Sequence, residues 1–246
     1  MTTPRRITPE WMDAPDARRE DLDRSLRFIR TINRRLGGAR ALIACLSPWS
    51  RHWPKDRPVT LLDVATGSAD IPVAVRRWAL SRGHDLRILG VDAHPTTLEL
   101  AAEYIDSQPP EIREGVRLQR ADALRLTDSF EPGAFDYAHA GMFLHHLPDI
   151  EVMTVLAMMD RLATRGVVWN DLSRSPFARL GVRVLTLGAS PMVKHDARVS
   201  VDAGFTRAEA MDLARRVGLE NPRYRSMFLA QRFVVCASRR GAWSEM

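Results

Sequence analysis

Only two cysteines, Cys45 and Cys236, occur in 246 residues, and they form no metal-type or redox spacing. This excludes a disulfide-stapled fold and a cysteine zinc site, and it fits free thiols in a reducing cytosol. No apolar run approaches the roughly 20 residues that span a bilayer. The start, MTTPRRITPE, lacks the apolar stretch of a signal peptide, so a cytoplasmic protein without a membrane span is expected. Lysine is almost missing, at Lys55 and Lys194 alone. The net charge of +6 therefore rests on arginines scattered from Arg5 to Arg240 among acids such as Asp21, Asp23 and Glu111. Without a basic cluster or tail, nucleic acid is disfavoured as a partner, because phosphate binding depends on grouped cations. There is no internal repeat and no low-complexity tract, which excludes solenoid and collagen-like architectures.

What is present is an ordinary globular composition, 45% hydrophobic and 27% charged, with organised periodicity. Asp21 to Leu36 carries Leu22, Leu26, Ile29, Ile32 and Leu36 at helical spacing, and Gly37-Gly38 stops the run. A second short helix is expected from Ala39 to Leu46. From Val59 the period changes. Short apolar runs VTLLDVA, LRILGVD, VRLQRAD, FDYAHAG and GVVWNDL alternate with helical patterns, which implies a parallel sheet covered by helices on both faces. Residues 173–205 break the rhythm as a helical cap. Phe205 to Val217 reads as a helix with Thr206 as N-cap, followed by strands near Arg223–Met227 and Arg232–Ala237. The expected fold class is α/β, a Rossmann-like seven-stranded, mostly parallel sheet. The expected divisions are a helical lid (1–56), a core (57–172), a cap (173–205) and a C-terminal part (206–246) that completes the sheet.

Ligands of such sheets bind at the carboxyl ends of the strands. The run Leu61-Leu62-Asp63-Val64-Ala65-Thr66-Gly67-Ser68-Ala69-Asp70 is a strand that enters a turn of small residues and then a helix. Small side chains there let a ligand lie against the backbone. A dinucleotide would need G-x-G-x-x-G with bare amides facing its pyrophosphate. Asp63 and Asp70 stand in that place, and two anions suit a cationic ligand. The second strand ends at Asp92, 29 residues after Asp63, where a carboxylate can accept from both hydroxyls of a ribose. Each such charge-assisted bond contributes about 1.5–3 kcal/mol. The third strand ends at Asp122-Ala123, whose carboxylate could accept from an adenine amino group.

Taken together these residues resemble the class I S-adenosylmethionine-dependent methyltransferases, in particular the group that includes the menaquinone and ubiquinone biosynthesis enzymes with a first motif like D-V-A-x-G-T-G-D. The resemblance covers about residues 59–171 and departs at Ala69, where the family has Gly. It implies S-adenosyl-L-methionine as cofactor, with Asp63, Ala65, Gly67 and Asp70 around the methionine part. It places Asp92 and Ala93 at the ribose and Asp122 and Ala123 at the adenine, with Ala140 on the fourth strand nearby.

After the fourth strand comes Gly141-Met142-Phe143-Leu144-His145-His146-Leu147-Pro148. Nucleic-acid amino-methyltransferases of this fold carry N-P-P-Y-like residues here, which hold a flipped base, and none is present. A histidine in this place can accept a hydroxyl proton at neutral pH. His145, His146 and Asp171 are therefore the catalytic candidates, while His139, in mid-strand, reads as a packing residue. Asn170, Arg174 and, in the cap, His195 are candidates for substrate contact. No His and carboxylate spacing in the sequence calls for a metal. The reading is methyl transfer to a small hydroxylated aromatic or polyketide-like acceptor, with oxygen favoured and carbon methylation of a quinone precursor as the alternative. A nucleic-acid-binding protein or RNA methyltransferase is the reading from a different class, and a homodimer is left open.

Overall fold

The computed structural model describes residues 4–14 and 17–239. Two helices, α1 (Arg19–Leu36) and α2 (Gly38–Trp49), precede the sheet. Then follow β1 (Val59–Val64), α3 (Asp70–Ser81), β2 (Leu86–Asp92), α4 (Pro95–Asp106), α5 (Pro110–Arg113), β3 (Val116–Arg120), β4 (Phe135–Gly141), α6 (Asp149–Leu162) and β5 (Ala163–Leu172). The cap holds α7 (Pro176–Leu185) and α8 (Pro191–Ala203), and the chain continues through α9 (Arg207–Arg216), β6 (Arg223–Met227) and β7 (Arg232–Ser238). The strands form one seven-stranded sheet in the order β3-β2-β1-β4-β5-β7-β6. The first five are parallel, and β7 runs antiparallel to both β5 and β6. This is the expected fold.

A parallel sheet buried on both faces needs strands that are apolar throughout, and every residue of β4 except Gly141 is buried. On one face Trp169, Phe205, Phe233, Leu156 and Met159 form a core beneath α6 and α9. The Trp169 ring there meets Phe205 and Phe233 edge-on at 4.8 and 5.2 Å. On the other face Trp49, Trp53, Leu61, Tyr137 and Val168 pack with α2 and α3. Trp53 donates to the Tyr137 hydroxyl at 3.0 Å, and burial pushes that phenol up to about 12.

The helix ends follow local chemistry. In α1, Glu20 and Asp21 lie in the first turn and Arg34 and Arg35 in the last, each favourable to the helix dipole. Gly37 ends it at φ 73°, a left-handed conformation that glycine adopts without strain. Thr206 caps α9 in a reciprocal capping box with Glu209. The second helix runs three residues past the expected end at Leu46, through Pro48. A proline in the last turn removes one hydrogen bond. Burial of Trp49, stacked on Tyr137 at 5.2 Å, offsets that loss. Phe177, Leu180 and Val184 of α7 stay exposed beside Phe228 and Leu229. No helix among the described residues is long and apolar enough to cross a membrane.

At the amino end of β4 the buried Asp136 carboxylate accepts two hydrogen bonds from Arg57, at 2.7 and 2.8 Å, and one from the Thr60 amide at 2.9 Å. Arg165 stands 3.0 Å away. Burial alone would raise this carboxyl, but the bonds from Arg57 and Thr60 and the two arginine charges outweigh it and hold it below its ordinary value. A depressed folded-state value gives stability that is present above the unfolded-state value of about 3.9 and is lost as pH falls through the folded-state value. Asp136→Asn is therefore expected to cost about 2 kcal/mol at pH 7 and progressively less below pH 4. Urea unfolding of both proteins across pH 3–7 checks this, and a pH-independent difference would contradict it.

Candidate active site at the carboxyl edge of the sheet

The turn from β1 to α3 is held by its own polar atoms. The Thr66 amide donates to Val91 O at 2.9 Å, and its hydroxyl donates to Asp63 at 2.7 Å. This brings the turn against β2, where a Cβ on Gly90 would lie 2.7 Å from the Thr66 hydroxyl, so only glycine fits there. Ala65, Gly67 and Ala69 all have positive φ, at 53°, 54° and 55°. For each alanine this conformation costs about 1 kcal/mol. An added Cβ on Gly67 would meet nothing within 4 Å, so the space over this turn is open.

Asp92, at the end of β2, faces that space. Its two oxygens accept from the Gly67 and His94 amides, each at 3.0 Å. Burial pushes the carboxyl up, while the two amides pull it down. Each oxygen keeps a lone pair for a further donor. Ala93, beside it, is exposed. Asp122 is exposed and accepts from the Leu124 amide at 2.9 Å, capping the turn that Ala123 begins. Ala140 lies buried within β4. Asp70, at the start of α3, accepts from Ser68 and from Asn33 of α1, both at 3.0 Å. Asn33 in turn accepts from the buried Arg232 of β7 at 2.8 Å. The first helix is thereby tied to the turn and to the far side of the sheet.

One layer beneath the edge, three buried residues cross three strands. His139 Nδ1 lies 2.5 Å from Asp63 and its Nε2 2.6 Å from the Asn170 side-chain oxygen. Asp63 and Asn170 thus serve to hold the sheet edge together, and neither reaches the open space as the sequence suggested. Arg174 likewise turns inward, donating to Gly204 O and to Glu209, the latter at 2.6 Å, which fastens the cap to α9.

The histidine pair sits on a short turn after β4 (Leu144–His146). His145 is buried, with Nδ1 2.6 Å from Asp171 of β5. Burial would lower this imidazole, but the charge and hydrogen bond of Asp171, with Glu10 beyond, raise it to about 9. Asp171, wholly buried, also accepts from Trp169, from the Leu172 amide and from the His145 amide. His146 is partly exposed, and its Nδ1 is 2.8 Å from Asp13. A strap from the start of the chain covers both. Arg5 stacks on Phe205 at 3.9 Å, donates to the carbonyls of Ala203, His145 and Leu147, and pairs with Asp149. Further along, the amides of Trp11 and Met12 donate to Asp196 of α8 at 2.8 and 3.1 Å. His195 stacks on Trp11 at 4.2 Å. An open charged hollow lined by Arg76, Asp85, Arg87, Arg113 and Arg117 lies at the opposite, amino ends of β2 and β3, and none of these candidate residues borders it.

The polar groups at the turn, the Asp92 carboxylate as acceptor beside open backbone and Asp70 at the start of α3, fit a cationic nucleoside. A family model described as a methyltransferase domain matches residues 61–166, the segment that carries this turn, Asp92 and the histidine pair. Residues 61–166 are thus similar to a methyltransferase domain. Among solved structures the chain is similar to a protein of Nostoc punctiforme described as a candidate O-methyltransferase, at 18% identity and a TM-score of 0.55, covering 83% of this chain and 60% of that one. It is also similar to the magnesium protoporphyrin IX methyltransferase of Synechocystis, crystallised with S-adenosylhomocysteine, at 13% identity and a TM-score of 0.57, covering 83% of both chains. A third is the CurJ carbon methyltransferase, at 13% identity and a TM-score of 0.56, covering 76% of this chain and 50% of that one. The chain thus spans little more than half the length of two of the three. No curated protein sequence matches it.

The residues at this edge that sequence reasoning missed are Glu10, Asp13, Asn33 and Arg232. Their signal was weak. Glu10-Trp11-Met12-Asp13 mixes acids and tryptophan ahead of the first helical period, and Arg232 is a cation opening an apolar strand. Asp92→Ala removes the carboxylate that braces Gly67 and faces the open turn. Its affinity for S-adenosylhomocysteine is expected to fall by about 2–4 kcal/mol with the fold retained. Calorimetric titration measures this, and unchanged affinity would remove Asp92 from the site.

Proposed function

We propose that the protein methylates a hydroxyl oxygen of a small aromatic or polyketide-like molecule. The observation that carries this reading is the roof over the histidine pair. The strap and α8 close over His145 and His146, a covering that suits a compact acceptor better than a polymer. The absence of N-P-P-Y-like residues after β4 agrees with this, as do neighbours that include a porphyrin methyltransferase and a candidate O-methyltransferase.

S-adenosylmethionine, when bound, supplies an electrophilic methyl group on a sulfonium. The work of this chain is to hold and orient. Asp92 and Asp122 would take the nucleoside hydroxyls and amino group, and the turn from Ala65 to Ala69 would border the methionine part. Alignment of two bound partners contributes much of such a rate enhancement, and the strap and α1 would serve as a lid that excludes water. At the acceptor side, Asp171 fixes the orientation of His145. The partly exposed His146, with Glu10 behind it, forms the polar end against which an acceptor hydroxyl is placed, and its Nε2 takes the hydroxyl proton as the oxygen gains the methyl.

A panel of phenols, hydroxylated polyketides and quinols incubated with labelled S-adenosylmethionine tests the reading. The expected product carries the label on oxygen. His146→Ala should lower kcat roughly 10²-fold without changing affinity for S-adenosylhomocysteine. Label on carbon alone would establish carbon methylation of a quinone precursor instead, and label on RNA would overturn the small-molecule reading.

A further inference from the structure

Glu10, His145 and His146 each direct one donor atom into a common space, and these three atoms lie within 4.8 Å of one another. The two imidazole Nε2 atoms stand 3.6 and 3.5 Å from the same oxygen, Glu10 Oε1. Those separations are too long for good hydrogen bonds. They are close to the separation of about 3.4 Å between two ligands bound tetrahedrally at 2.0–2.1 Å, the usual zinc–nitrogen and zinc–oxygen lengths. His145 is 2% exposed, and its Nε2 is buried without a hydrogen-bond partner among the described residues. A buried polar atom left this way calls for an explanation.

The far sides of the two rings carry the second observation. His145 Nδ1 is bonded to the Asp171 carboxylate at 2.6 Å, and His146 Nδ1 to the Asp13 carboxylate at 2.8 Å. Metal-ligating histidines commonly give their second nitrogen to a carboxylate in this way, which fixes the ring and strengthens the donor. Here both rings have that partner, and both then present Nε2 to one carboxylate. Glu10 is itself fixed by the Ser200 hydroxyl of α8.

We propose that Glu10, His145 and His146 form a binding site for one divalent transition-metal ion of the zinc type. Two imidazoles and one carboxylate leave at least one coordination position open, as in catalytic sites. Binding displaces any proton on the two Nε2 atoms, so protons are released as the ion enters. The use of the ion rests on the methyl-transfer reading above. An acceptor hydroxyl in the open position would have its pKa lowered by the ion and give its proton to solvent water before the oxygen takes the methyl, and His146 would then serve as a ligand in place of a base. The sequence hides this set because Glu10 and Asp13 lie more than 130 residues before the histidine pair.

The test uses the full chain stripped with a chelator. Calorimetric titration with zinc chloride and visible absorption on titration with cobalt chloride both read the site. One ion per chain is expected, with cobalt bands of low-symmetry, four- or five-coordinate type. Glu10→Gln and His146→Ala should each weaken zinc binding at least tenfold with the circular dichroism spectrum unchanged. Asp13→Asn, outside the ligand set, should weaken it about tenfold. No saturable binding, or binding that these variants leave unchanged, overturns the site. Equal turnover of a phenolic acceptor by stripped and zinc-loaded protein overturns its use in methyl transfer, and the binding titrations then stand on their own.

Discussion

The carboxylate of Asp171 is wholly removed from water at the end of β5, and a charge in that position is tolerable only if its lone pairs are filled. Four donors fill them: the Trp169 indole, the Leu172 amide, and the amide and ring of His145. Two of these belong to the turn after β4, so satisfying one buried charge also fixes where that turn lies and which way His145 faces. The Trp169 ring, wedged between Phe205 and Phe233, sets the depth of the whole arrangement. Losing any of the four donors would leave a buried carboxylate short of a partner, a defect that commonly costs several kcal/mol.

A second group of contacts connects the helical parts to this edge. Asn33 of α1 bridges Asp70 and Arg232, so a helix outside the sheet touches both the turn after β1 and β7. Asp196 of α8 holds the strap through two backbone amides, and Arg174 holds the cap to α9. These bonds all join distant parts of the chain, and each has at least one partner that is largely shielded from water. Exposed pairs such as Arg27 with Asp23 sit in solvent and add little.

The sheet was legible because its signals are local. Alternation of strand and helix periods, the Thr206 capping residue and the stop at Gly37 each depend on neighbours within a few residues, and these elements came out where they were expected. Asp92 and the small-residue turn were legible for the same reason, since a strand end and a sharp turn write themselves into a short stretch. Side-chain direction was not legible. Asp63, Asn170 and Arg174 lie in the right segments yet point beneath the edge or into the cap, because the pleat of β1 and β5 and the packing of α9 decide the outcome. Glu10 and Asp13 were invisible for a different reason: no periodicity connects the start of the chain to residue 145.

Arg5 gives the arrangement a temporal order. Its guanidinium bonds to Ala203, 198 residues later, and to the carbonyls of His145 and Leu147, 140 and 142 residues later. A ribosome releases the strap before these partners, and domains generally assemble in the order of synthesis. The nascent strap must therefore stay undocked while β1 to β5 form, and it can close over the histidines only after Phe205 has emerged. The carboxyl edge is in this way covered only after Phe205 has emerged, by a segment made long before the partners that hold it.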